Sequence, residues 1–195
     1  MSRRFLLVFL LLLTVVAGLI FYALQLRNRV AEEEQRSAQP QVIAPPGNGP
    51  AQPVTLYLAS DEDGLLHRQQ VSASLPPDPG ERARTVLRAL ISSYQANGSA
   101  HRLSSGADVR DVYLLGDDTA VVDMNAAFAD AHPSGVLTEE LTISSIMVTL
   151  KTNVSKLERV KILVDGKERE TLAGHADLHR FYHASDFSQM NKDMQ

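Results

Sequence analysis

Residues 112–124 read VYLLGDDTAVVDM. Two runs rich in β-branched and aromatic residues flank Gly116-Asp117-Asp118, the pattern of two strands joined by a tight polar turn. In the outgoing run Ala120, Val122 and Met124 alternate with Val121 and Asp123. Successive side chains of a strand point to opposite faces, so the first three belong in the core and Asp123 on the other face. If no helix covers that face, Asp123 is solvated. Otherwise its carboxylate is placed to accept backbone amides of the turn from Asn125 to Phe128.

Helical patterns lie on both sides of this hairpin. Upstream, Ala83, Val86, Leu87, Leu90, Ile91 and Tyr94 recur at three- and four-residue spacing, with Arg82, Arg84 and Arg88 on the wet side and Asn97-Gly98 as the stop. Downstream, Ile143, Ile146, Met147, Leu150 and Val154 predict a second helix, for which Ser134 and Thr138 are two candidate N-caps. Val54, Leu56 and Leu58 alternate with Thr55 and Tyr57 as an opening strand. A turn at Asp61 to Gly64 leads to a short return strand, Gln69 to Ala73. Val160, Ile162 and Val164 predict a closing strand, followed by a turn at Asp165-Gly166 from which Arg169 to Leu172 pairs back. The order β-(β)-α-β-β-α-β predicts an α+β fold, a small mixed sheet covered on one face by two helices.

The N-terminal part is of another kind. Phe5 to Leu26 is an apolar run broken only by Thr14 and Gln25, preceded by Arg3 and Arg4 and followed by Arg27 and Arg29. As a helix it is roughly 33 Å long, enough to cross the hydrocarbon core. A cleaved signal peptide, with Val15 and Ala17 at the cleavage site, is the alternative, but the apolar run continues past them to Leu24. Residues 1–4 are then a cytoplasmic tail, 5–26 a transmembrane helix and 27–53 a disordered linker with Pro40, Pro45, Pro46, Pro50 and Pro53. Residues 54–183 are the folded domain, on the extracytoplasmic or periplasmic side, and 184–195 a polar tail. The 195-residue chain has a formal net charge of -4, a pI of about 5.8 and no cysteine. The charge argues against nucleic-acid binding. The lack of cysteine excludes disulfides, thiolate zinc sites and a lipidated-cysteine anchor.

No cofactor motif stands out. Gly-x-Ser-x-Gly and the glycine-rich phosphate loops are absent from the sequence. The carboxylate clusters Asp61-Glu62-Asp63, Asp117-Asp118 and Glu139-Glu140 suit loops, turns and a first helical turn. His175, His179 and His183, spaced by four, would share a face and could hold zinc on a helix. Gly174 argues for an extended segment, in which the rings scatter and serve as surface or hydrogen-bonding histidines.

From Val54 to Tyr182 the chain resembles the GerMN domain, the module named after sporulation and spore-germination proteins. The likeness rests on the opening strand ending near Leu58, on Ala120-Val121-Val122-Asp123-Met124-Asn125 and on Thr149-Leu150. It continues in Val160 to Val164 with Asp165-Gly166, Leu172-Ala173-Gly174-His175 and Asp177-Leu178. The family often has serine in place of Asn125 and asparagine in place of Val148, and its namesake carries the domain in tandem on a lipidated cysteine. The resemblance implies a fold similar to ring-building motifs, a place outside the bacterial cytoplasmic membrane, and roles in cell-wall processes or membrane-spanning assemblies. It implies no catalytic residue set.

The resulting expectation is a single-pass envelope protein whose domain is non-catalytic, needs no cofactor or metal, and binds an envelope protein or, weakly, a second copy. Its process is of the sporulation, germination or cell-wall type, with peptidoglycan as a further candidate partner. The alternative is an envelope enzyme or sugar-binding module acting on peptidoglycan, with Asp123 and Asp130 as its working acids.

Overall fold

The computed structural model describes residues 51–187. Residues 1–4, the expected span 5–26, nearly all of the linker 27–53, and residues 188–195 lie outside the described residues. Among the described residues no helix is long and apolar enough to cross a membrane.

Strands β1 (Ala51–Ser60) and β2 (Leu65–Ser74) form an antiparallel hairpin with ten residue pairs in unbroken register. Helix α1 (Pro79–Gln95) starts at Asp78, whose carboxylate accepts from Glu81 N at 2.9 Å, and its first residue is proline, which has no amide to satisfy there. All six apolar positions read from the sequence are buried. Strands β3 (Val109–Leu115) and β4 (Thr119–Met124) make the expected hairpin, and α2 (Ala126–Asp130) and α3 (Val136–Asn153) follow. The chain then returns as β5 (Arg159–Val164), parallel to β4, and ends in β6 (Tyr182–His183) and a 3-10 turn, Ala184–Phe187. The four-stranded mixed sheet has the order β3-β4-β5-β6, and its parallel pair is bridged by the two helices between β4 and β5, as parallel pairing requires. Ala120, Val122, Met124, Val160 and Ile162 of the sheet share one continuous core with both long helices.

The first hairpin is a sheet of its own. Its β1 edge is closed by helix side chains in place of a neighbouring strand. Thr55 N donates to Asn153 Oδ1 (3.2 Å) and Tyr57 N to Thr149 Oγ1 (3.0 Å), while Ala59 N donates to the Tyr94 hydroxyl (2.9 Å). The Thr55 and Tyr57 carbonyls accept from Asn153 Nδ2 (2.7 Å) and Ser145 Oγ (2.6 Å). Ser145, Thr149 and Asn153 are four residues apart, so one stripe of α3 presents them in line. A buried amide without a partner costs about 1–3 kcal/mol, which explains polar side chains inside this helix.

Some local expectations are corrected. Neither Ser134 nor Thr138 caps α3; Gly135 is the cap residue, and the Glu139 carboxylate reaches back to its amide at 3.3 Å. The short α2 was not anticipated, and Asn125 caps it by accepting from Phe128 N at 3.1 Å. The return strand reaches Leu65–Ser74, longer than Gln69–Ala73. Arg169 to Leu172 do not pair back on β5. Asp165 and Gly166, both at positive φ, turn the chain tightly enough for a single bridge between Val164 and Lys167, and Tyr182–His183 takes the edge of β5 further on. β1 includes residues 51–53, before Val54, and Phe187 is buried beyond His183.

Candidate interaction groove

A groove of about 470 Å³ runs between the first half of α3 and the segment 175–187. Val136, Glu140 and Ile143 line one wall; His175, Asp177, Arg180 and Tyr182 are among those lining the other. Adjacent residues Glu139 and Glu140 have separate roles. Glu140 faces the groove, whereas Glu139 is fully buried behind it.

The segment 173–176 is wrapped around the Glu139 carboxylate. Oε2 accepts from Ala173 N (3.0 Å), His175 N (3.0 Å) and Ala176 N (2.8 Å), and Oε1 from the His175 ring at 2.9 Å. Burial alone would raise the pKa of this carboxyl. The donors at Ala176 N, the His175 ring, Ala173 N and His175 N outweigh it and hold the value at about 2, against 4.5. A carboxylate can only accept, so His175 donates through Nδ1, and its Nε2 has no protein partner among the described residues.

The other two histidines do not join His175. The segment is not helical, so the four-residue spacing does not align the rings. His179 is exposed, with its amide on Asp177 Oδ1 (2.8 Å), and exposed His183 lies in β6. Among the described residues no group of three or more His, Asp or Glu is arranged to hold a metal ion. Arg180 pairs with Asp186 and sits over the Tyr182 ring, 4.8 Å from its centroid. Burial pushes the Tyr182 hydroxyl up to about 12, and it donates to the Asp177 carbonyl at 2.7 Å.

Asp123 is buried, not solvated, and does not hold the Asn125 turn. It accepts from Gly166 N at 2.7 Å and pairs with Arg110 Nε at 3.3 Å, so it secures the turn after β5. Asp130 is bound by Arg169 Nη1 at 2.5 Å. The two acids considered as a working pair thus each have a separate cationic partner.

A buried polar chain escaped sequence reading. Asp61 Oδ1 lies 2.8 Å from His101 Nδ1, His101 Nε2 2.7 Å from Thr142 Oγ1, and Thr142 Oγ1 2.8 Å from His132 Nε2. His132 Nδ1 donates to the Pro133 carbonyl at 2.7 Å, and burial lowers the pKa of this ring. The single hydroxyl hydrogen of Thr142 is shared between His132 Nε2 and the Thr138 carbonyl, 3.1 Å away. Thr142 and His101 are fully buried and Asp61 is exposed at the outer end, so this hydroxyl–imidazole–carboxylate series ties together three loops and α3. Its members are 10–41 residues apart in sequence, and no local spacing signals it.

The sequence pattern of the family described as "Germane: Sporulation and spore germination" matches residues 55–170. Among solved structures, the fold is similar to the tandem GerMN domains of the sporulation protein GerM from Bacillus subtilis. The TM-score is 0.54 at 22% identity, over 70% of this chain and 48% of that one, so the chain spans about half that structure's length. The first GerMN domain of the same protein matches with a TM-score of 0.49 at 23% identity, over 65% and 92% of the two chains. A candidate lipoprotein of Clostridium perfringens matches with a TM-score of 0.47 at 21% identity, over 74% and 95%. No curated protein matches the sequence. With the family pattern covering more than half of its length, the chain belongs to the sporulation and spore germination family, and its folded part is a GerMN-like domain.

Proposed function

We propose that this chain is a bacterial envelope protein, held in the membrane by residues 5–26, whose GerMN-like domain faces away from the cytoplasm and binds a partner protein. The process is of the sporulation, germination or cell-wall type. The groove along α3 carries the reading. Val136 and Leu137 are 65% and 48% exposed at its α3 end. The carboxylates of Glu139 and Asp186 there are already engaged by the protein itself. Apolar side chains beside satisfied polar groups suit a protein surface.

The test is a photoreactive residue placed at Val136 in the full-length protein in intact cells, with a second at Lys156 as control. The expected result is capture of one discrete envelope protein from Val136 and not from Lys156. Capture of glycan alone would overturn the reading in favour of a peptidoglycan-directed module. The topology is tested separately. A tag after Gln195 should stay with membranes through a carbonate wash and be removed by protease added to spheroplasts.

A further inference from the structure

We infer that the outer edge of β2 is a docking site for an extended polypeptide segment carrying a carboxylate opposite Arg68. In an antiparallel pair, opposite residues either exchange both backbone bonds or both point away from each other. Thr55, Tyr57 and Ala59 give their amides to Asn153, Thr149 and Tyr94, so they point away from β2. Their opposites Gln70, Arg68 and Leu66 therefore direct N–H and C=O outward, away from β1. Pro53 sits in the same outward-pointing series, opposite Ser72, where the hairpin needs no amide.

The other strand edges are covered or short. The start of α1 lies so close on β3 that a Cβ at Gly80 would fall 2.8 Å from the Val112 carbonyl oxygen. β6 has only two residues. By contrast β2 is exposed from His67 to Gln70 and again at Ser72, and it has no proline, lysine or bulge there, the usual protections of an open edge. Among the described residues nothing bonds the outward backbone groups of exposed Arg68 and Gln70, while Leu66 is buried and ends the open stretch.

Charge selects the occupant. Residues 65–74 contain no acid, His67 is held by Asp63, and exposed Arg68 has no carboxylate partner among the described residues. An added strand with Glu or Asp opposite Arg68 supplies that partner. A second copy pairing through β2 supplies none, because its own residues 65–74 contain no acid.

The inference rests on the interaction-module reading, and its test is separate from the groove crosslink. The full chain in detergent micelles is titrated with a capped octapeptide of alternating threonine and glutamate, and with its lysine analogue. Amide hydrogen exchange is followed at Arg68 and Gln70. The glutamate peptide should slow exchange there by at least about tenfold, and the lysine analogue should bind about threefold more weakly. Arg68→Glu should reverse that order. Gln70→Pro, which removes a donor the hairpin does not use, should abolish the protection. Equal binding of both peptides, protection surviving Gln70→Pro, or protection that rises with protein concentration alone would overturn the assignment. Its failure with the Val136 crosslink intact removes the edge and leaves the interaction reading standing; loss of both removes both.

Discussion

Replacing Glu139 by glutamine removes one charge from a fully buried site where that charge organises the loop 173–176. The amide keeps one acceptor oxygen and turns an NH2 group toward donors. The magnitude follows from linkage. A carboxyl at about 2 in the folded state against 4.5 contributes about 3 kcal/mol at neutral pH. The folded value is the lower one, so this stability is complete above the unfolded pKa and is lost as pH falls through the folded one. By pH 3 about 2 kcal/mol of it is gone. Urea unfolding followed by circular dichroism should therefore show Glu139→Gln weaker than the parent by about 3 kcal/mol at pH 7, with a much smaller gap at pH 3. Amide exchange at Ala173, His175 and Ala176 should speed up in the variant. A difference that is the same at both pH values would refute the argument, because the loss would then come from shape and not from charge.

Two further substitutions test the packing. Thr149→Val keeps the volume but strips the acceptor from Tyr57 N, and the unfolding free energy from urea titration should fall by about 1–3 kcal/mol, whereas no loss would mean that water replaces the hydroxyl. Leu90→Ala, at a fully buried position, should cost about 2–5 kcal/mol in the same assay. An effect below about 0.5 kcal/mol there, typical of exposed sites, would place the α1 stripe on the wrong face.

The α1 stripe and the β3–β4 hairpin were legible because each repeats an apolar residue at its own period, and the face so marked is the buried one. Periodicity did not reveal α3 in full. Its apolar stripe is real, but Thr142, Ser144, Ser145 and Thr149 are equally buried, since the middle of the helix, residues 141–150, is enclosed on all sides. A polar residue on such a helix reads as a wet face until its partner, a strand edge nearly a hundred residues away, is known. Asp123 was misjudged for the same reason: Arg110 and the Gly166 turn, which bury it, are brought by tertiary structure. Of the adjacent acids 139 and 140, only the fold decides which one goes inside.

The helix stripe that closes β1 also bears on synthesis. Thr55 precedes Asn153 by 98 residues, and Tyr57 precedes Ser145 by 88. At about 5–20 residues per second, the first hairpin leaves the ribosome roughly 5–20 s before the side chains that seal it exist. For that interval both of its edges are open, and a free strand edge is a template for wrong pairing. The growing chain is thus most vulnerable early, and most of its protection is encoded 88 to 98 residues later.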